Sequence, residues 1–252
     1  MQKLFNQLLA IYMHEFEEIA RPVLFEYSDS EYTYWGKGSS FLLADSKNYF
    51  WITAQHVMTN LGGSAEALRI FPADNSRKSL PFNEKYVIRK EGGDDEEYKD
   101  IYALRIDLVA FDKSGDTPLT AQNVDTGLMS AESLSANDEL WIIGYATERN
   151  FVNFEARTIE NTRSVIRAIY QGYSVSEHCH VARIETSIGL SSFDGLSGSP
   201  VFYMRPSSNG AQDLQFPMLV GMLLRGTAES SMVHFVSARI IVELISLASI
   251  DD

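Results

Sequence analysis

Cysteine is all but missing from this chain: Cys179 is the single one in 252 residues. One thiol excludes an intrachain disulfide, which argues against a disulfide-stapled secreted scaffold and for a reducing, cytoplasmic setting. Basic charge is also scarce. The 21 Lys and Arg against 34 Asp and Glu leave a net charge of −13. Such a surface repels phosphate backbones and anionic lipid, so nucleic acid and membrane are not expected partners. Long apolar runs are absent as well. No stretch approaches the roughly 18 residues of a membrane span, and the run 240–250 is broken by Glu243. The apolar run 8–13 is short and leads into His14, Glu15, Glu17 and Glu18 with no small-residue cleavage site, so it does not read as a secretory signal.

What is present is an ordinary globular mixture, 45% hydrophobic and 22% charged, with enough chain to bury a core. Residues 1–20 read as a helix, because Leu4, Leu8, Tyr12, Phe16 and Ile19 recur at three or four residues. That apolar stripe either packs on the protein's own core or docks a regulatory protein partner. From about residue 33 the pattern changes to short β segments. Segments 39–44 and 47–53 flank Asp45-Ser46 as a hairpin. Further strands are expected at 68–71, 85–89, 101–111, 139–145, 152–158, 164–170, 180–186, 200–203, 218–224 and 232–238. Residues 239–248 return to helical spacing through Ile241, Leu244, Ile245 and Leu247. The acidic run 91–97 reads as a solvated loop, since it lacks the ligand spacing of a calcium site. Many short strands without intervening helices indicate a sandwich or barrel.

Three stretches carry chemistry. Ile52-Thr53-Ala54-Gln55-His56-Val57 ends a strand on one of only 5 histidines. Lys99-Asp100-Ile101-Tyr102-Ala103-Leu104 sets an acid at the mouth of an apolar strand. Gly195-Leu196-Ser197-Gly198-Ser199-Pro200 brackets a serine with glycines before a β run.

Together these stretches resemble the trypsin/chymotrypsin-like serine peptidases, whose boxes read T-A-A-H, D-I-A-L-L and G-D-S-G-G-P. The order His, Asp, Ser also matches that family and differs from subtilisin-like and α/β-hydrolase enzymes. The resemblance spans residues 52–202. It implies an all-β fold, a chymotrypsin-like double six-stranded β-barrel with added N-terminal and C-terminal helices. Residues 1–20 would be the N-terminal helix, 21–125 the first barrel with the His and Asp, and 126–252 the second barrel with the Ser and a C-terminal helix. It further implies a serine endopeptidase acting on peptides or proteins without cofactor or metal. His56 would be general base, Asp100 its orienting acid and Ser197 the nucleophile, with the backbone N–H groups of Gly195 and Ser197 as oxyanion hole. Asp107 also opens an acid-then-apolar stretch. It lies seven positions from Asp100, an odd number, so in a regular strand the two face opposite sides and only one meets His56.

The departures from the family pattern are specific. Leu196 replaces the acid that precedes the serine in trypsin, which removes the ion pair to a newly cleaved N-terminus. Ser199 replaces the second glycine. By resemblance, Ser191 lies near the base of the primary pocket, residues 222–226 pair with substrate backbone, and Arg225 and His234 reach the pocket. No acidic pocket base is evident, so cleavage after Lys or Arg is not expected. In His178-Cys179-His180 a strand would put both histidines on one face, but a zinc site would lack further ligands, so the triplet reads as structural. Two other readings stand beside the peptidase: a catalytically silent peptide-binding module on the same fold, and an intracellular effector protease held by a partner through its N-terminal helix.

Overall fold

The sequence alternates in short runs, and the runs pair mostly with their chain neighbours. The computed structural model describes residues 17–26, 34–59, 65–73, 76, 78–89, 96–112, 119–153, 155, 158–185, 189–206 and 215–248. In the first half, β1 (Ala20–Glu26), β2 (Tyr34–Ala44), β3 (Tyr49–Ala54), β4 (Leu68–Arg69), β5 (Phe82–Val87) and β6 (Ile101–Ile106) form an antiparallel sheet in the order β4-β1-β2-β3-β6-β5. A short parallel strand, β7 (Gln122–Asn123), joins β2. The second half contributes β8 (Glu139–Gly144), the hairpin β9 (Asn150–Asn153) and β10 (Thr158–Asn161), then β11 (Ser164–Tyr173), β12 (Cys179–Ile184), β13 (Pro200–Pro206), β14 (Gln215–Thr227) and β15 (Met232–Ser237). Six of these close into a barrel in the order β11-β12-β15-β14-β13-β8. The described fold is thus mostly β, with one closed six-stranded barrel beside a seven-stranded sheet. No helix among the described residues is long and apolar enough to cross a membrane.

Period-two patterning drives this arrangement. In β11, Ser164, Ile166 and Ala168 are buried while Val165 and Arg167 are exposed. One apolar cluster fills the closed barrel, with Leu140, Ile142, Ile166, Val220 and Phe235 at its centre. The other gathers Phe41, Trp51 and Ile52 from the first sheet with Phe202, Leu219, Met222 and Val236 from the barrel wall. The two halves therefore share a core. The helix Ala238–Ala248 seals it with Ile241, Leu244 and Ile245, whereas Leu247 falls off that stripe and is exposed.

Three expectations change. The hairpin turn runs over four residues, because the Asp45 carboxylate accepts from the N–H groups of Lys47 and Asn48 and holds the chain in a local turn. The strand expected over 101–111 stops at Ile106. Asp107 then caps a one-turn helix, Leu108–Asp112, by accepting from Ala110 N at 3.0 Å. His178 and His180 do not share a strand face, since His178 sits at φ 57° before β12 begins. The expected helix at 1–20 lies outside the described residues up to 16, and β1 starts at Ala20. Residues 91–95 of the acidic run also lie outside them.

Two measurements check these assignments. Asp107→Ala removes the helix cap, with an expected loss of about 1 kcal/mol, seen as a drop in Tm of roughly 2–4 °C. His180 is fully buried, with Nδ1 against the Tyr170 hydroxyl at 2.8 Å and Nε2 without a partner among the described residues. Burial holds the pKa of His180, and likewise of His234, below the ordinary imidazole value. The unfolded chain then takes up protons at these sites first, starting near pH ~6.5. Stability is therefore whole above that pH and declines as pH falls through it, levelling off below the native values. Urea midpoints are expected to drop from pH 7 to 5.5, with a shallower slope in His180→Phe.

Candidate active site

Strand register brings the first two functional side chains together. Ala54 ends β3 and pairs with Ile101, the first residue of β6. The residue after one therefore lies beside the residue before the other, and Gln55 N donates to Asp100 O at 3.2 Å. Beyond Ala54 the chain turns into a short helix, Gln55–Thr59, which swings His56 over Asp100. The Asp100 carboxylate is used twice. Oδ1 accepts from His56 N at 2.9 Å, and Oδ2 meets His56 Nδ1 at 2.5 Å. A carboxylate at Nδ1 fixes that nitrogen as the protonated one and leaves Nε2 as the base. Nε2 makes no hydrogen bond among the described residues. Asp107, roughly 20 Å further along the strand direction, has its carboxylate occupied by the helix cap.

Ser197 stands in the loop that leads into β13. Its hydroxyl donates to Leu224 O at 2.8 Å and makes no hydrogen bond to His56. Both side chains line one cleft of about 330 Å³, with Gly38, Phe193, Gly195, Arg225 and Gly226 among its other walls.

The loop is held from behind by its carbonyls. Asp194 O accepts from Thr147 N at 2.8 Å, Gly195 O from Ser39 Oγ at 2.7 Å, Leu196 O from Ser199 N at 3.0 Å and Ser197 O from Ser39 N at 2.9 Å. Fixing a carbonyl fixes the N–H of the next residue on the opposite side of the same peptide plane. The N–H groups of Gly195 and Ser197 are consequently turned away from these anchors, and neither donates a hydrogen bond among the described residues. Gly195 and Gly198 both sit at φ 87°, which favours glycine. A Cβ on Gly198 would lie 2.0 Å from Ser39 O and one on Gly195 2.5 Å from Tyr145 O, so backbone approach excludes a side chain at either position. Leu196 points into the core of the closed barrel and is fully buried. An apolar anchor thus stands where the resemblance would have an acid.

The role of Ser39, and its link to Thr53 of the histidine stretch, went unnoticed in the sequence. Ser39 is fully buried, its Oγ donates to Gly195 O and accepts from Tyr145 N at 2.8 Å, and its carbonyl accepts from Thr53 Oγ1 at 2.7 Å. The available signal was two small polar residues, Ser39-Ser40, directly before the apolar run Phe41–Ala44. Both are fully buried, and buried polar groups need partners.

Of the residues expected to bind substrate, Arg225 lines the cleft and Ser191 and His234 do not. Ser191 is exposed and gives both its N–H and its hydroxyl to the Glu148 carboxylate. The Ser191 hydroxyl bond is the main reason the Glu148 carboxyl titrates below its ordinary range. His234 pairs with Val181 and Arg225 across the sheet and meets Ser174 Oγ at 3.3 Å. Cys179 is buried, and burial pushes its thiol up to about 12, so it stays protonated and inert. Among the described residues no cluster of three His, Cys, Asp or Glu is arranged for a metal ion.

No protein-family model matches this chain, and no curated protein matches it in sequence.

Ser39→Ala removes the donor to Gly195 O and the acceptor of Tyr145 N together, at a cost of roughly 1–3 kcal/mol for each buried bond lost. Gly198→Ala adds strain of more than about 1 kcal/mol at positive φ and forces the loop off Ser39. Urea unfolding is expected to place both variants well below the parent, whereas Val175→Ala, at a fully exposed side chain, leaves stability within about 0.5 kcal/mol.

Proposed function

We propose that this protein is a serine endopeptidase of the trypsin/chymotrypsin-like type, with the seven-stranded sheet and the closed barrel as the two halves of a double-barrel fold. The observation that carries the reading is the Asp100–His56 pair at 2.5 Å, facing a cleft shared with Ser197 and two backbone N–H groups that donate to no partner among the described residues. In the reaction, Ser197 Oγ leaves Leu224 O by rotation about χ1 and donates to His56 Nε2. The imidazole takes the proton as Oγ attacks the peptide carbonyl, and Asp100 stabilises the imidazolium. The N–H groups of Gly195 and Ser197 receive the developing oxyanion. His56 then protonates the leaving amine, and water hydrolyses the acyl-enzyme through the same base.

Substrate binding follows from the sheet edge. β14 pairs with β13 only as far as Met222, while its partner on the other side, β15, continues to Thr227. Among the described residues, Arg225 and Gly226 thus offer a backbone edge at the cleft with no strand beside it, next to the Leu224 carbonyl that Ser197 occupies, and an extended peptide adds there as a further strand. Leu196 sits buried in place of an acid, so the donor loop owes its shape to packing and to Ser39, with no dependence on a freed N-terminus.

One observation favours a second reading, a silent peptide-binding module: the Ser197 hydroxyl is satisfied by Leu224 O instead of His56. A fluorophosphonate probe separates the two. The peptidase reading expects labelling of the folded protein, abolished in Ser197→Ala and strongly slowed in His56→Ala. Asp100→Asn is expected to lower kcat on the order of 10⁴-fold, the magnitude typical of losing the triad acid, while Asp107→Ala keeps full turnover. Peptide binding that survives Ser197→Ala, with no cleavage of a peptide library by the parent, favours the module.

A further inference from the structure

Arg225 lines the cleft, where a residue that reads substrate charge belongs, yet its guanidinium is committed elsewhere. Nε and Nη2 both donate to Glu97 Oε1, at 2.9 and 2.7 Å, and Glu97 Oε2 is buried without a partner among the described residues. Glu97 opens the 3₁₀ turn Glu97–Lys99, and Asp100 follows it, with Asp100 N on Glu97 O at 3.0 Å. The next residue in the turn, Tyr98, sets its ring edge-on to His178 at 5.0 Å, and His178 in turn meets Arg239 Nη2 at 3.2 Å. By chain this turn belongs to the first sheet. By contact it belongs to the closed barrel, at two consecutive residues. Arg225 itself follows Leu224, whose carbonyl holds the Ser197 hydroxyl.

We propose that the Glu97–Arg225 ion pair is a positioning device: it clamps the turn that carries Asp100 onto the edge of the closed barrel and so keeps the carboxylate aligned on His56 Nδ1. The proposal rests on the peptidase reading and deepens it. A pair whose arginine side chain is 53% exposed is screened by water and contributes little to stability. Its effect is geometric, because the acid and the nucleophile come from different halves of the molecule: the register of β3 and β6 sets Asp100 beside His56, and among the described residues Glu97 and Tyr98 tie that turn to the barrel. Arg225 is then a positioning residue, and an acidic substrate side chain has to compete with Glu97 to reach it.

A double-mutant cycle on the full chain tests this, with Glu97→Gln, Arg225→Gln, both together, and Arg225→Lys as the conservative rescue. A misalignment near 1 Å costs up to about 100-fold in rate. Each single variant is expected to lower kcat by roughly ten- to 100-fold with KM little changed, the double variant to be no worse than either single, and Arg225→Lys to recover part of the loss. Tm is expected to move by less than about 4 °C. The downfield NMR signal of the His56 Nδ1–H is expected to shift or broaden in both single variants. A changed KM and altered substrate preference confined to the Arg225 variants, with Glu97→Gln like the parent, would make Arg225 a substrate reader and overturn the proposal. Unchanged kcat and an unchanged Nδ1–H signal in both variants would overturn it too. If the parent cleaves no peptide, the peptidase reading fails separately, and the Nδ1–H signal decides alone: disturbed in the variants, the clamp stands; intact, it does not.

Discussion

Between the Ser39 carbonyl and the Gly198 backbone there is no room for one more carbon atom. That close approach is the constraint on which the site depends. It joins a strand of the first sheet to the loop that bears Ser197, and it does so through backbone and small side chains that have few ways to move. Ser39 bonds to the loop at Gly195 and at Ser197, and Thr53 bonds back to Ser39. Thr53 lies on β3, three residues before His56. The base and the hydroxyl are therefore referenced to the same short stretch of backbone, and the cleft between them inherits its shape from hydrogen bonds that bulk water cannot loosen.

Electrostatics work on top of that frame. The chain is strongly acidic, yet beside the cleft Asp100 is paired with His56 and Glu97 with Arg225. Burial keeps the single thiol protonated. Leu196 anchors its loop by apolar burial, which involves no titrating group and no chain end, so the geometry of the two backbone donors does not depend on pH through that residue.

Much of this was legible in advance, for identifiable reasons. Strand alternation in β11 announced its sheet because one face is buried and the other is wet, whereas β2 and β3 were legible as short apolar runs and prove buried on both faces. The turn glycines at 195 and 198 were legible because few residues tolerate positive φ. The split of 101–111 was not, because Asp107 as a helix cap and Asp107 as a strand-mouth acid look alike until the chain direction after it is known. The pairing of Ser191 with Glu148, 43 residues away in sequence, and of Arg225 with Glu97, 128 away, left no local trace.

The amino-acid sequence by itself determined the β character, the core stripes, the lone thiol and the three stretches that carry a base, an acid and a hydroxyl. These are local properties, set by side-chain chemistry and the two-residue period of an extended chain. Which acid meets the imidazole, which way the peptide planes of the serine loop face, and whether Arg225 is free to greet a ligand were decided only when the sheets closed on each other. Those outcomes depend on register and on contacts between halves, and distance along a chain does not encode distance in space.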